Sequence, residues 1–315
     1  MKDISVIIPL YNEASNIHIL YEELLAAMTF VDKTFEIIFV DDGSIDSTPM
    51  ELDKIYKTQK TPSVKIITFL KRYGQTQAIH SGINEASGSV IILMDGDLQN
   101  NPKDIPRLLI KLNEGYDLVN GWRKVRNDQF FFKVLPSFLA NLWIRRLTKV
   151  KLHDFGCGFK AFKKTVVIDK FVLGSMHRLF ALYVALKGYR TAEVIVDHRK
   201  RIQGKSKYGL LRVYELFLEM FRIYFFENHL ASPLYFFGIS GILLIISGII
   251  TGIFIIIRKL TFSGIWISPL FFITIILVSL GVQIILMGII AEILVRVLLQ
   301  QNKEQFYIIK EIKSR

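Results

Sequence analysis

Two long runs without a charged residue constrain this chain more than anything else in it. Residues 234–257 and 260–291 contain no Asp, Glu, Lys or Arg, and only Arg258 and Lys259 stand between them. Each run exceeds the roughly 20 apolar residues that cross the hydrocarbon core of a bilayer. A buried helix in a soluble protein is the alternative, and two such runs in tandem argue against it. The expectation is a pair of transmembrane helices across 233–295.

Charge then orients the pair. Lys200, Arg201, Lys205, Lys207, Arg212 and Arg222 precede the first run, and Arg296, Lys303, Lys310, Lys313 and Arg315 follow the second. The loop between them holds only two cations. By the positive-inside rule both termini, and the domain before the first run, belong in the cytoplasm. The apolar stretch 4–8 is too short for the core of a signal peptide, and Pro9-Leu10-Tyr11-Asn12-Glu13 follows it at once. A net charge of +12 would also suit a nucleic-acid binder. Here the cations cluster near the apolar runs and near one candidate site, so anionic head groups or a lipid phosphate are the expected partners, and nucleic acid is not. The single cysteine, Cys157, excludes an internal disulfide and a cysteine-cluster zinc site.

The first 120 or so residues alternate between two textures. β-Branched runs at 4–8, 36–40, 64–69, 90–94 and 117–119 alternate with helix-like stretches at 14–28, 47–59, 75–86 and 103–113. Strand, helix, strand, repeated, predicts a mostly parallel sheet covered on both faces, and near-continuous apolar strands fit that burial. Beyond Gly121 the texture is aromatic and basic. Residues 128–149 and 208–230 read as amphipathic helices of the head-group region, the second running straight into the first apolar run. Within that run Gly248-Ile-Ile-Thr-Gly252 has a small-xxx-small spacing. It suits close packing of span on span or, in a homo-oligomer, of protomer on protomer.

In open parallel sheets, ligands bind beyond the carboxyl ends of the strands. Three of the predicted strands end in carboxylates: at Glu13, at Asp41-Asp42-Gly43-Ser44 and at Asp95-Gly96-Asp97-Leu98-Gln99. Gathered together they would repel one another without a cation or hydrogen-bond donors. Asp95 and Asp97 are two apart on a segment read as extended, which points both side chains to one face. Gly96 between them is read as room for a ligand to approach the backbone. Paired carboxylates suit Mg2+ or Mn2+, which takes its other ligands from water and substrate phosphates. Gly204-Lys205-Ser206 resembles the end of a P-loop, but Arg199 stands where the first glycine belongs, and no G-x-G-x-x-G follows the first strand.

The segments Ser5 to Glu13, Phe39-Val-Asp-Asp-Gly-Ser44 and Met94-Asp-Gly-Asp-Leu-Gln99 resemble the signatures of inverting family 2 glycosyltransferases of the GT-A fold. Asp154-Phe-Gly-Cys-Gly-Phe-Lys160, His198 to Tyr208 and the two apolar runs are similar to polyprenyl-phosphate glycosyltransferases, the branch of dolichyl-phosphate mannose synthase and its bacterial undecaprenyl-phosphate counterparts. The resemblance implies an α/β GT-A catalytic domain over 1–208, a juxtamembrane helix over 209–232, two transmembrane helices over 233–295 and a cytoplasmic tail over 296–315. It implies a UDP- or GDP-linked sugar as donor and a polyprenyl phosphate as acceptor. Pro9, Tyr11 and Glu13 would line the base and ribose pocket, with Asp41 on the base. Asp95 and Asp97 would hold the metal and diphosphate, with Gln99 as a further ligand. Arg123, Lys133 and Ser137 would receive the acceptor phosphate. Arg201, Lys205, Ser206 and Lys207 would close over the diphosphate.

A phosphate monoester is already anionic at neutral pH, its second pKa being about 6, so it needs less help from a base than a sugar hydroxyl does. Asp97 is therefore the firmer catalytic candidate. Asp154 is assigned to orienting the acceptor or sugar, or to acting as base, against a structural pairing with Lys160. A processive polysaccharide synthase is the nearest rival, but its Gln-x-x-Arg-Trp motif is absent: none of Trp122, Trp143 and Trp266 follows such a pattern. An inactive nucleotide-sugar-binding protein would be favoured by loss of Asp95 or Asp97, and both are present.

Overall fold

The computed structural model describes residues 2–58, 62–124, 141–142, 144–146, 148–166, 176–199, 221, 225, 232–261 and 269–302. Lys133, Ser137, Arg201, Lys205, Ser206, Lys207, most of both amphipathic stretches and the tail beyond Asn302 lie outside the described residues. The chain divides into two compact units, Met1–Met220 and Phe221–Arg315.

The first unit opens with strand β1 (Ile4–Leu10), helix α1 (Ala14–Met28), β2 (Phe35–Asp41), α2 (Thr48–Thr58), β3 (Ser63–Thr68), α3 (Gln75–Glu85) and β4 (Val90–Leu93). A 3-10 turn (Pro102–Asp104), α4 (Ile105–Asn113), β5 (Leu118–Trp122), β6 (Lys160–Lys163), α5 (Met176–Leu186) and β7 (Thr191–Ile195) follow. Among the described residues the sheet has seven strands in the order β3-β2-β1-β4-β6-β5-β7. Every neighbouring pair is parallel except those of β6, which runs antiparallel to both β4 and β5. The expected parallel sheet is present, with one reversed strand inserted. β1 and β2 are buried along nearly their whole length because helices cover both faces. The covering is close: a Cβ on Gly82 of α3 would sit 2.5 Å from Ile7 Cγ2 on β1. The stretch expected as one helix over 103–113 is a 3-10 turn followed by α4, with Pro102 and Pro106 each at the start of its own piece.

At the amino end of the sheet a buried carboxylate ties three elements together. Glu36 Oε1 accepts from Ser5 Oγ at 2.6 Å, Ser87 N–H at 2.6 Å and Ser87 Oγ at 2.7 Å. Lys65 Nζ lies 3.3 Å from Oε2. Burial alone would raise its pKa, but the Ser5 and Ser87 hydrogen bonds and the Lys65 charge overturn that and hold it at about 2. A depressed carboxyl stabilises the fold above its unfolded value, and that stability is lost as pH falls toward the folded value. Between pH 4.5 and 2 the protein should lose about 3 kcal/mol from this one group. Unfolding of the detergent-solubilised chain followed against pH checks this. Glu36→Gln should be less stable at pH 7 and flatter through that window; an unchanged acid limb would refute the assignment.

The second unit is an antiparallel hairpin of α6 (Pro233–Thr261) and α7 (Pro269–Asn302). At about 1.5 Å per residue, α6 with its 29 residues and α7 with its 34 are longer than a hydrocarbon core of about 30 Å. Each helix turns a glycine face to the other. A Cβ on Gly241 would lie 2.6 Å from Gly281 O, and one on Gly281 2.6 Å from Ile245 Cγ1. Gly248 meets Val278 and Gly288 meets Phe237 in the same way. The closest approach is therefore centred on Gly241 and Gly281. Of the expected Gly248/Gly252 pair, Gly248 packs span against span, whereas Gly252 has only ordinary contact with Thr274. The other faces carry exposed apolar side chains, among them Ile239, Leu243, Ile250, Phe272, Ile276 and Ile290. Two helices apolar on every side cannot bury those faces against each other, and a bilayer is the solvent that suits them.

Candidate active site

The strand order brings the three acidic strand ends together, because β1 lies between β2 and β4. The first two loops are clasped by side chains. Asn12, in the left-handed region at φ 55, donates its N–H to Ser44 Oγ at 2.9 Å and accepts from Ile45 N–H at 2.9 Å. Glu13 N–H donates to Thr48 Oγ1 at 3.0 Å, and its carboxylate accepts from Asn16 Nδ2 at 2.6 Å over the start of α1.

Asp41 and Asp42 do different work. Asp41 is fully buried; Oδ1 accepts from Ser44 N–H at 3.0 Å, while Oδ2 has no hydrogen-bond partner among the described residues. Asp42 accepts from Tyr73 N–H at 2.6 Å and from Gly74 N–H at 2.9 Å, and so fixes the loop leading into α3. Gly43 between Asp42 and Ser44 is obligatory on two counts: φ is 69, and a Cβ would lie 2.5 Å from the Lys71 carbonyl carbon. This contact delivers a residue the sequence analysis missed. Arg72 lays its guanidinium over the Tyr11 ring, 4.3 Å from the centroid, with Nε 3.9 Å from Asp42 Oδ2. The signal was a pair of cations, Lys71 and Arg72, just past the third strand, whose end carries no carboxylate.

Beyond β4 the chain does not stay extended. It bends at 96–98, with Leu98 at φ 60 and buried. The segment is therefore not a continuing strand, yet the Asp97 charge still acts on Asp95. Asp97 Oδ1 accepts from Gln99 N–H at 3.2 Å. The reading of Gly96 is corrected as well. A Cβ there would lie 2.3 Å from Leu10 Cδ2, so the glycine admits a side chain of β1, not a ligand. The glycine that makes room at the site is Gly158, where a Cβ would fall 2.1 Å from Asp95 Oδ2.

Asp95 is half-buried and accepts from Gln75 Nε2 at 2.8 Å, another residue not foreseen. Burial, and then the Asp97 charge, push its carboxyl up to about 6, while Lys160, Arg123 and Gln75 pull the other way. A divalent cation fits such a pair, since it supplies the charge whose lack raises the carboxyl. Among the described residues no group of three or more His, Cys, Asp or Glu could hold a metal; a cation held by the Asp95 and Asp97 carboxylates would take its other ligands from water and phosphate oxygens. Gln99 faces partly elsewhere: its C=O accepts from Arg199 N–H at 2.9 Å and its Nε2 donates to Arg199 O at 3.5 Å.

Facing Asp95 is a buried basic and acidic group built on β5 and β6. Arg123 Nε donates to Asp154 Oδ2 at 2.7 Å and Nη2 to Oδ1 at 2.9 Å, a bidentate ion pair with Asp154 only 1% exposed. Burial would lower the Arg123 pKa, but Asp154 raises it above its ordinary value, so the guanidinium stays charged. Asp154 thus spends both oxygens on Arg123, a partner the sequence analysis did not consider. Lys160, 1% exposed at the start of β6, has its ammonium pKa lowered by burial against the raising fields of Cys157, Asp154 and Asp95. Burial pushes the Cys157 thiol up, which leaves it neutral and unreactive. Pro9, Tyr11, Glu13, Asp41, Asp95 and Asp97 thus stand on three adjacent strand ends, and Arg123 and Asp154 face them from the other half of the sheet.

Residues 5–171 match the family model for glycosyl transferase family 2. This chain belongs to that family. The glycosyltransferase is 35% identical to the dodecaprenyl-phosphate galacturonate synthase of Rhizobium johnstonii, over 98% of this chain and 93% of the relative. It is 32% identical to the undecaprenyl-phosphate 4-deoxy-4-formamido-L-arabinose transferase of Pseudomonas syringae, over 100% of this chain and 92% of the relative. Among solved structures, glucosyl-3-phosphoglycerate synthase from Mycobacterium tuberculosis, in complex with Mn2+, UDP-glucose and phosphoglyceric acid, superposes with a TM-score of 0.54. That likeness, at 18% identity over 72% of this chain and 79% of the other, establishes the GT-A fold. The glycosyltransferase is thus a GT-A enzyme joined to two apolar helices of membrane-spanning length.

Proposed function

We propose that this glycosyltransferase moves a sugar from a UDP- or GDP-linked donor to the phosphate of a polyprenyl lipid, with inversion, at the cytoplasmic face of the cell membrane. The observation that carries the reading is the extent of the likeness: two polyprenyl-phosphate transferases match over 98% and 100% of this chain, a length that includes both units. The acceptor is accordingly a lipid phosphate, and the hairpin holds the enzyme at the bilayer where that lipid resides.

Pro9, Tyr11 and Glu13 line the base and ribose pocket, and the unpartnered Asp41 Oδ2 is the acceptor for a base N–H. A divalent cation, Mg2+ or Mn2+, held by Asp95 and Asp97 with Gln99 as a further ligand, would neutralise charge on the departing nucleoside diphosphate. Arg123, Lys133 and Ser137 hold the acceptor phosphate; Arg201, Lys205, Ser206 and Lys207 close over the diphosphate. A phosphate oxygen attacks the anomeric carbon as the bond to the diphosphate breaks, and the electron pair leaves with the diphosphate. The nucleophile is already an anion, so no side chain has to take a proton from it. Asp154 holds Arg123 in place of acting as base. Orientation and charge stabilisation then supply the rate.

Purified protein in detergent, incubated with a panel of UDP- and GDP-sugars, Mg2+ or Mn2+ and undecaprenyl phosphate, should form a lipid-linked monosaccharide. Chain growth beyond one sugar would instead identify a processive synthase. Folded protein that yields no lipid-linked sugar with any donor would overturn the reading.

A further inference from the structure

One buried carboxylate on the acceptor side of the sheet has no part in the reaction above. Glu193 lies on β7, opposite Asn120 of the neighbouring β5. Its side chain is 8% exposed. Oε1 accepts from His153 N–H at 2.7 Å and from Asp154 N–H at 3.0 Å. Oε2 accepts from His153 N–H at 2.7 Å and faces His153 Nδ1 at 2.8 Å. Asn120, itself fully buried, donates from Nδ2 to Asp154 O at 2.6 Å. Both backbone polar groups of Asp154 are therefore held by side chains of two adjacent strands, one taking the N–H and the other the C=O.

The segment so held stands beside the end of β5 like two rungs of a ladder. Trp122 stacks on His153, ring centroids 4.3 Å apart and planes 15° apart. On the next rung Arg123 clamps Asp154 in the bidentate pair. A fork of two parallel N–H···O bonds tolerates little rotation of the carboxylate, so the angle of the guanidinium follows from where the 153–154 backbone sits. We infer that Glu193, with Asn120, is a positioning residue for the acceptor-phosphate site, acting through Asp154 on Arg123. The inference rests on the reading of Arg123 as the acceptor-phosphate ligand. Glu193 touches neither reactant; it fixes the carboxylate that aims the cation.

Glu193→Gln keeps the shape but sets an NH2 group against backbone N–H donors, so at least one of those hydrogen bonds is lost. The test is steady-state transfer by the full-length protein in detergent, varying undecaprenyl phosphate and the nucleotide-sugar in turn. Glu193→Gln should raise the acceptor KM about tenfold and leave the donor KM within about twofold. Glu193→Asp, which restores the charge on a shorter stem, should show the same selectivity at smaller size, and it serves if the glutamine variant does not fold. In an Arg123→Lys background the fork is already gone, so adding Glu193→Gln should change the acceptor KM by less than about twofold. Equal changes in both KM values, or effects that multiply in the double variant, would show a merely structural role and overturn the inference. If Arg123→Lys raises the acceptor KM while both Glu193 variants match wild type, the inference alone falls. If Arg123→Lys leaves the acceptor KM unchanged, the reading of Arg123 falls, and the inference with it.

Discussion

Asp97→Ala should lower kcat by at least about a thousandfold, the loss expected when the principal charge stabiliser of a leaving group is removed. The companion substitution Asp95→Asn should be equally inactive but should behave differently as a folded protein. Asp95 is a half-buried carboxylate whose charge is opposed by burial and by Asp97. An amide of the same shape removes that conflict and can still accept from Gln75 Nε2. Metal-free Asp95→Asn should therefore melt no lower than wild type. Wild type should gain thermal stability when Mn2+ and a nucleoside diphosphate are added together, and neither variant should. An Asp97→Ala enzyme with undiminished turnover would remove the metal assignment. A marked loss of stability in metal-free Asp95→Asn would instead mean that the carboxylate is held by something stronger than Gln75 and the Lys160 and Arg123 charges.

Arg123→Ala should carry the second large effect, and it has two separable parts. Removing the guanidinium leaves Asp154 buried without its bidentate partner, a loss of about 3–5 kcal/mol when one member of a buried pair is deleted. It also removes the proposed ligand of the acceptor phosphate, so kcat/KM for the lipid should fall about a hundredfold at a temperature where the variant is folded, while nucleotide binding changes little. Thermal unfolding measures the first part, and donor and acceptor titrations measure the second. Arg123→Lys keeps the charge and loses the fork, so it should recover more of the stability than of the acceptor affinity. A variant that lost donor binding and kept acceptor use would reverse the assignment of the two halves of the site.

The long elements were legible because their signals are local and repeated. All five expected strands and the intervening helices occur, since a buried parallel strand declares itself by an unbroken β-branched run. β6 and β7 were not read. β6 has four residues, begins and ends with lysine, and depends on β4 and β5 to bury Lys160. β7 lies at the sheet edge and is only half-covered, so it carries no apolar run. The antiparallel insertion of β6 follows from neither strand's own sequence. It is a matter of which edges remain open once β1 to β5 have formed.

The site divided in the same way. Which residues are acidic or basic at the strand ends could be read directly, and so could the pair of apolar runs, since hydropathy over 24 or more residues needs no partner to be recognised. What each residue does to its neighbour could not. The sequence placed Asp95 and Asp97 on one face by strand alternation; the structure has a bend over 96–98 there, and the glycine that matters to Asp95 is Gly158, far along the chain and adjacent in space. Asp154 was a candidate for orienting the acceptor or sugar or for acting as base; the sequence did not show that its carboxylate pairs bidentately with Arg123. Gln75, Arg72, Asn120 and Glu193 were not singled out at all, because a polar residue in a loop, on a helix start or within a strand looks ordinary until its partner is known. Composition and periodicity thus determined that this chain has a doubly covered α/β domain, carboxylates at its strand ends and a pair of apolar helices. The pairing of side chains across β5, β6 and β7 was decided only by tertiary structure, since hydrogen bonds of 2.6–3.0 Å join residues tens of positions apart.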